Sequence, residues 1–265
     1  MQNYKDNQLI SDENSVLSLS VISVIGDRDD QQDSFGFSLK NDEGIVVVCD
    51  GMGGHEGGRI ASNIAITRFI DDYDDSYPSN IPDQVLISSA KASDLKVSSL
   101  KNINGEPLNA GSTCVALIIK GKKLYWCSVG DSRAYLLRND EFVQLTQDQN
   151  YKTVLDEKLH AGIITEDEYK AEEKRGEALI SYLGIGNLSL IDYSESPLLL
   201  ESGDKIIISS DGLYKLVSDE EIQRVVDNFR KSEEALNALD MKAKKAAKQR
   251  EKSRDNMTVA IISIK

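Results

Sequence analysis

The chain has 265 residues, of which 40% are apolar and 28% are charged, as is typical of a globular protein able to bury a sizeable core. Its 44 acidic and 31 basic side chains give a formal net charge of −13. Nucleic acids and anionic membranes bind positively charged surfaces, so this balance argues against both as the main partner. The length fits one large domain or two small ones.

The cysteines and the N-terminal residues indicate the compartment. Cys49, Cys114 and Cys127 form no CxxC pair, and each lies in an apolar, strand-like segment. We therefore expect buried free thiols in a reducing compartment. The first 15 residues contain no basic region followed by an apolar one, so we expect no signal peptide. No apolar run approaches the ~18 residues that span a bilayer, and we predict a soluble, cytoplasmic protein.

The pattern of apolar residues predicts a polar N-terminal tail over residues 1–16, followed by interleaved strands and helices. Alternating or continuous apolar residues predict strands that begin at Leu17 and continue over 34–39, 45–49, 113–119, 124–129, 134–138, 141–145, 188–193, 205–209 and 258–264. Helical spacing predicts helices over 60–70, 82–100, from Ser218, and over 228–252. Residues 146–184 are charged and helix-prone, which indicates a helical insertion. This order favours two stacked sheets with helices outside.

Four aspartates lie where an apolar run meets small residues, namely Asp50, Asp131, Asp211 and Asp255. A single Asp-Gly pair indicates no more than a turn. The set is more informative, because Ile45–Met52 is nearly repeated by Ile206–Leu213. Carboxylates at sheet ends gather the hard oxygen ligands that Mg²⁺ and Mn²⁺ prefer. The sequence therefore predicts a metal-dependent hydrolase with a site made mostly of aspartate.

Several short motifs occur in one order along the chain. They are GDRDDQQDS at 26–34, DGMGGH at 50–55, GST at 111–113, GDSR at 130–133, DG at 211–212 and DNMT at 255–258. This order resembles that of the protein phosphatase 2C family of metal-dependent Ser/Thr phosphatases, over roughly residues 17–264. The segment 146–184 is similar to the flap of that family.

The resemblance implies an α+β fold, a four-layer α-β-β-α sandwich of two antiparallel sheets flanked by helices. It implies a single phosphatase domain over 1–265 with a flap insertion at 146–184. The implied reaction is hydrolysis of phosphoserine and phosphothreonine in proteins, by a water activated between two Mn²⁺ or Mg²⁺ ions, with a third ion as an option. The implied partners are phosphoprotein substrates and an opposing Ser/Thr kinase. We expect a bacterial-type monomer with no nucleic-acid or membrane partner.

The resemblance also implies roles for the aspartates. Asp50 would bridge two ions, and Gly51 would contribute its backbone carbonyl. Asp211 and Asp255 would complete the shell of the first ion. Asp131 corresponds to a ligand of a third, weaker ion that Asp211 shares, although an aspartate at a strand end also serves as a turn cap.

Arg28 corresponds to the phosphate-binding arginine of the family, whose guanidinium fork suits two phosphate oxygens. The alternative is a surface ion pair with Asp27, Asp29 or Asp30.

Two further residues carry roles by resemblance. His55 would donate a proton to the leaving serine oxygen, and Asp33 would orient water at the ions.

The chain also departs from the family pattern, because Gln32 stands where many members have Glu and Arg59 where an acidic residue is usual. The neutral amide of Gln32 removes a negative charge, so we expect weaker binding of the second ion.

Two alternatives compete with an active protein phosphatase. One is a catalytically weak, phosphopeptide-binding pseudophosphatase, which the presence of Asp50, Asp211 and Asp255 disfavours. The other is a different two-metal phosphoesterase such as a nuclease, which the net charge disfavours because polyanions would be repelled. The Lys-rich stretch 242–252 has no interleaved aromatic residue and is interpreted as a solvated helix face.

Overall fold

The computed structural model describes residues 7–54, 56–78 and 81–265. Its strands are β1 (Gln8–Glu13), β2 (Leu17–Val24), β3 (Ser34–Leu39), β4 (Glu43–Cys49), β5 (Gly51–Gly53), β6 (Ala110–Ser112), β7 (Cys114–Lys120), β8 (Lys123–Val129), β9 (Arg133–Arg138), β10 (Glu141–Gln144), β11 (Asp192–Tyr193), β12 (Leu198–Leu199), β13 (Lys205–Ser209) and β14 (Met257–Ile264). Its α-helices are α1 (Gly57–Ser76), α2 (Pro82–Ser98), α3 (Tyr151–His160), α4 (Glu166–Glu172), α5 (Asp211–Tyr214), α6 (Asp219–Asn228) and α7 (Ser232–Gln249). A 3₁₀ turn covers Glu173–Arg175.

Two antiparallel sheets contain most of the strands. The first sheet has the order β1-β2-β14-β13-β9-β10, and the second has the order β11-β8-β7-β4-β3. β12 adds to the second sheet by pairing with β8, and β5 pairs with β6 in a short ribbon. The β9–β10 hairpin turns at Asn139 and Asp140, whose φ angles of 49° and 64° suit a tight turn between twisted strands.

The two sheets pack face to face, and their strands bury alternate residues in different layers. Within β4, Val46 and Val48 face the first sheet, whereas Ile45 and Val47 pack under α1 and α2. All four are buried, which explains the continuous apolar run at 45–49. Burying a side chain of this size contributes roughly 1.5–3 kcal/mol.

Helices cover the outer face of each sheet. Phe69 of α1 and Leu86 of α2 pack on the second sheet. Leu236 and Leu239 of α7, with residues of α5 and α6, pack on the first sheet. The architecture is therefore the expected four-layer α-β-β-α sandwich, and the insertion at 146–184 supplies α3, α4 and the 3₁₀ turn. None of the helices in the described ranges is long and apolar enough to cross a membrane.

Three local predictions are wrong. Gln8–Glu13, within the expected polar tail, form a strand, because their backbone pairs with β2 at the edge of the sheet although Leu9 and Ile10 stay exposed. The strand expected over 188–193 is limited to Asp192–Tyr193. The helix expected over 228–252 starts at Ser232, after α6 ends at Asn228. The helix start at Ser218 is confirmed, since the Ser218 hydroxyl accepts a hydrogen bond from the N–H of Glu221. The expected reciprocal bond from Ser218 to the Glu221 carboxylate, which would complete a capping box, is not formed among the described residues, and that carboxylate pairs with Lys242.

Candidate metal centre and active site

Strand topology brings the four aspartates together. β4 and β8 both pair antiparallel with β7, so they run in the same direction. Asp50 and Asp131, which follow them, therefore lie at the same end of the strands of the second sheet. Asp211 follows β13 and Asp255 precedes β14, and these two strands pair antiparallel, so both aspartates lie at one edge of the first sheet. The four side chains line one cleft of about 610 Å³ between the sheet edges.

The backbone of Asp50 is fixed from both sides by the GST motif. Its N–H donates to Oγ1 of Thr113 over 3.0 Å. Its carbonyl oxygen accepts from the N–H of Thr113 at 2.8 Å and from Oγ of Ser112 at 3.0 Å. None of these bonds uses the carboxylate, which remains available for a ligand in the cleft.

Gly51 lies where three backbone segments meet. A Cβ at this position would lie 2.1 Å from the carbonyl oxygen of Gly58 and 2.6 Å from that of Gln32. The N–H of Gly51 also donates to the Gln32 oxygen at 3.2 Å. Only glycine fits where these backbone segments come so close together. This close contact holds the turn after Asp50 against the segment that carries Gln32 and Asp33.

Two side-chain cations are paired with the aspartates of the first sheet. Nη2 of Arg28 lies 2.6 Å from Oδ2 of Asp255, and Nζ of Lys215 lies 2.6 Å from Oδ2 of Asp211. Arg28 therefore lies in the cleft beside a predicted ligand. The alternative pairs with neighbouring Asp27, Asp29 and Asp30 are not formed among the described residues.

The cleft carries more negative charge than its own cations balance. Burial raises the pKa of Asp50 well above its usual range, and the nearby carboxylates, Asp33 first among them, raise it further. Burial likewise raises the pKa of Asp33 to about 7, against the lowering effect of its bond from Ser210. The pKa of Asp131 is raised to about 6, first by burial and then by Asp211.

This charge pattern fits a divalent cation. Oδ1 of Asp33 is buried and has no hydrogen-bond partner in the described part of the chain. This buried oxygen lies beside carboxylates that repel one another. A bound cation, or a water molecule that a cation orders, would give the oxygen a partner and offset the repulsion. As the side chains stand, no three Asp, Glu, His or Cys residues within the described ranges are grouped closely enough to hold one ion. Two of the four carboxylates are instead engaged by Arg28 and Lys215.

Asn256 is a site residue that the sequence reasoning missed. Its Oδ1 accepts from the N–H of Gln32 at 2.7 Å, and its Nδ2 donates to the carbonyl oxygens of Ile25 and Asp30 at 2.8 and 3.1 Å. The side chain thus connects the start of β14 to the loop that carries Arg28. Its position after Asp255 in the DNMT motif was the available signal.

The GDSR motif has a structural role beside the cleft. The hydroxyl of Tyr214 donates to the carbonyl oxygen of Asp131 at 2.9 Å, and the guanidinium of Arg133 lies 3.8 Å from the centre of the Tyr214 ring. Nη2 and Nε of Arg133 also bind the carboxylate of Asp148. These contacts hold the backbone at Asp131 in place.

Cys127 and Arg133 have the Cys-x5-Arg spacing found in phosphatases that use a cysteine nucleophile. The structure excludes that use here. Cys127 is fully buried within β8, and burial raises the pKa of its thiol. Arg133 is paired with Asp148 rather than directed at the sulfur.

The remaining predicted site residues fall in three places. His55 lies outside the residues that the structure describes. Asp33 lies beneath the cleft, where it touches Ser210, and Gln32 lines the cleft itself. Glu177 and Leu179 of the insertion also line the cleft, a contribution that the sequence did not identify residue by residue.

Comparison with known families matches the chain to protein phosphatase 2C over residues 18–156. The chain therefore belongs to the protein phosphatase 2C family.

Among its relatives, the serine/threonine phosphatase stp of Listeria innocua serovar 6a is 28% identical over 246 residues, which are 89% of this chain and 90% of the relative. The solved serine/threonine phosphatase of S. agalactiae has a TM-score of 0.79 and 28% identity, and covers 94% of this chain and 100% of its own. The catalytic domain of the phosphatase PstP, solved in complex with two manganese ions, has a TM-score of 0.74 and 26% identity, and covers 94% of this chain and 98% of its own.

Proposed function

We propose that this chain is a metal-dependent protein phosphatase that removes phosphate from phosphoserine and phosphothreonine in proteins. The observation that carries the proposal is the convergence of Asp50, Asp131, Asp211 and Asp255 with Arg28 in one cleft. Family membership and the similarity to named serine/threonine phosphatases, one of them manganese-bound, support it.

Asp50, the carbonyl of Gly51, Asp211 and Asp255 would hold two Mn²⁺ or Mg²⁺ ions, and Asp131 with Asp211 would hold a third. When bound, these ions would supply Lewis acidity that activates water and offsets phosphate charge. The donor set is suitable because all of these ligands are oxygens.

The other residues bind substrate and orient water. Arg28 presents a guanidinium fork that can take two phosphate oxygens in exchange for its exposed pair with Asp255. Ser210 holds Oδ2 of Asp33 at 2.7 Å, which leaves Oδ1 to accept a hydrogen bond from water at the site. His55 would protonate the leaving serine or threonine oxygen.

The same proposal covers organisation and partners. The chain would form one catalytic domain over 1–265 with a flap at 146–184, and it would act as a monomer. Its substrates are products of Ser/Thr kinase activity, so it would oppose such a kinase. The three buried free cysteines support a reducing, cytoplasmic location. Light scattering of the purified protein tests whether it is a monomer in solution.

The activity is tested by hydrolysis of p-nitrophenyl phosphate and of a phosphothreonine peptide. We expect turnover with Mn²⁺, none with EDTA, and a loss of at least about a hundredfold in kcat for Asp50→Ala and Asp211→Ala. Asp71→Ala, on the exposed face of α1, is the matched control. Wild-type turnover no faster than that of Asp50→Ala would refute the proposed enzymatic activity. Phosphopeptide binding without turnover would instead support the pseudophosphatase.

A further inference from the structure

One turn of α5 places Lys215 directly over Asp211. The N–H of Lys215 donates to the carbonyl oxygen of Asp211 at 3.1 Å. The carbonyl oxygen of Lys215 accepts from Nη1 of Arg250, beyond the end of α7, at 3.0 Å. The backbone is therefore held from two sides, and the i,i+4 spacing brings the two side chains together.

The ammonium group of Lys215 joins two parts of the cleft. Its Nζ lies 2.6 Å from Oδ2 of Asp211 and also pairs with Oε2 of Glu177. Glu177 belongs to the insertion, and all three residues line the cleft. Lys215 thus links the insertion to a predicted metal ligand in the cleft.

The corresponding pair on the other ligand differs in exposure. The side chains of Arg28 and Asp255 are 56% and 44% exposed, whereas those of Lys215 and Asp211 are 39% and 16% exposed. Solvent screens an exposed pair more strongly than a buried one. The Lys215–Asp211 pair is therefore the stronger competitor for an ion at this site.

We propose that Lys215 competes with divalent ions for the carboxylate of Asp211, and thereby couples ion binding to the position of the insertion. This inference rests on the proposed function, which makes Asp211 a ligand. An ammonium group and a dication repel each other, so an ion that binds Asp211 weakens its pair with Lys215. Lys215 then keeps Glu177 as its carboxylate partner. Lys215 is in this sense a positioning residue, and its competition lowers the affinity for an ion.

Calorimetric titration of EDTA-stripped protein with Mn²⁺ tests the competition. We expect Lys215→Met and Lys215→Gln each to tighten the binding of an ion at Asp211 by roughly threefold to tenfold. Lys215→Arg, which keeps the cation, should bind Mn²⁺ as the wild type does. Glu177→Gln should act in the opposite direction, because Lys215 loses its second partner and remains on Asp211.

Lys170→Met is the matched control for net charge. Lys170 lies in the same insertion, is exposed, and pairs with Glu166 at 4.0 Å. We expect its Mn²⁺ affinity to change by less than about twofold, because solvent screens this remote charge.

Hydrogen exchange supplies a second measurement that does not depend on turnover. Adding Mn²⁺ to the wild type should change the exchange of residues 173–180, and this response should be lost in Lys215→Met. Equal Mn²⁺ affinities for wild type, Lys215→Met and Lys215→Gln would overturn the inference. If the wild type still hydrolyses p-nitrophenyl phosphate with Mn²⁺, that result leaves the proposed function standing; if it does not, the proposed function itself fails.

Discussion

Oδ2 of Asp33 accepts a hydrogen bond of 2.7 Å from Oγ of Ser210, while its equally buried Oδ1 has no partner among the residues described. Oγ of Ser210 in turn accepts from the N–H of Thr258 at 2.9 Å. Oδ2 of Asp33 is thus bonded to a residue at the end of the first sheet, whereas Oδ1 can accept a hydrogen bond from a ligand or water in the site. Above the raised pKa of Asp33, the metal-free protein therefore holds a buried negative charge that the single bond from Ser210 only partly stabilises.

The stability of the metal-free protein should depend on pH through Asp33. Its pKa is about 7 in the folded state and near 3.8 when unfolded, so folding takes up a proton between these values. The contribution is unfavourable above about pH 7 and is relieved as the pH falls towards 4. In EDTA, Asp33→Asn should therefore gain melting temperature relative to wild type by several degrees more at pH 8 than at pH 5.5. A difference between the two proteins that does not change with pH would contradict this.

Asp50→Asn should stabilise the metal-free protein at pH 8. The substitution removes a buried charge whose pKa is raised by burial and by the surrounding aspartates. We expect a rise of a few degrees in melting temperature in EDTA, and no further rise when Mn²⁺ is added. Asp75→Asn, an exposed position on α1, should change neither value. A lower melting temperature for Asp50→Asn in EDTA would count against an unbalanced charge cluster.

Arg28→Ala should lower kcat/KM for a phosphothreonine peptide by roughly tenfold to a hundredfold, the scale of losing charge-assisted hydrogen bonds to phosphate. Arg28→Lys should recover part of this loss, because it keeps the charge but not the fork. Arg68→Ala, whose exposed side chain pairs with Asp72 on α1, is the control. Steady-state kinetics that show less than a twofold effect for Arg28→Ala would remove it from the phosphate site.

Gln32→Glu should increase the affinity for Mn²⁺ by up to about tenfold, since it adds a negative charge to the lining of the cleft. Gln249→Glu is the matched control, because it adds the same charge at an exposed position at the end of α7, away from the cleft. The measurement is the Mn²⁺ concentration that gives half-maximal hydrolysis. An unchanged value for Gln32→Glu would show that the amide does not limit binding of the second ion.

Gly51→Ala should destabilise the protein, because its Cβ would lie 2.1 Å from the carbonyl oxygen of Gly58. Overpacking of this kind costs about 1–3 kcal/mol, which corresponds to several degrees of melting temperature. Gly54→Ala is the control, since a Cβ there has no heavy atom within 4 Å in the described structure. Equal melting temperatures for the two variants would show that the turn can relax.

The sequence was sufficient for the layers of the fold and for the meeting of the aspartates. Apolar alternation from Leu17 and the continuous run at 45–49 report burial directly, and each aspartate lies next to the end of an apolar strand, Asp255 before its strand and the other three after theirs. The strand at Gln8–Glu13 was missed because backbone pairing at a sheet edge needs no apolar pattern.

The electrostatic partners were not predictable in the same way. Nothing in the spacing of Lys215 indicates a pair with Glu177, which lies 38 positions earlier and arrives through the insertion. The pairing of Arg28 with Asp255, rather than with a neighbour in sequence, likewise requires β14 to lie beside β2.

Asp50 and Asp131 extend from one sheet, and Asp211 and Asp255 extend from the other. The separation between these two pairs is set by how the sheets pack, and that packing depends on residues such as Val48 and Ile208 far from solvent. A substitution that changes the thickness of this layer would alter ion affinity without touching a ligand. A change of temperature or a mutation in the core would then alter the distance between the two sheets, and with it the affinity of the aspartates for ions.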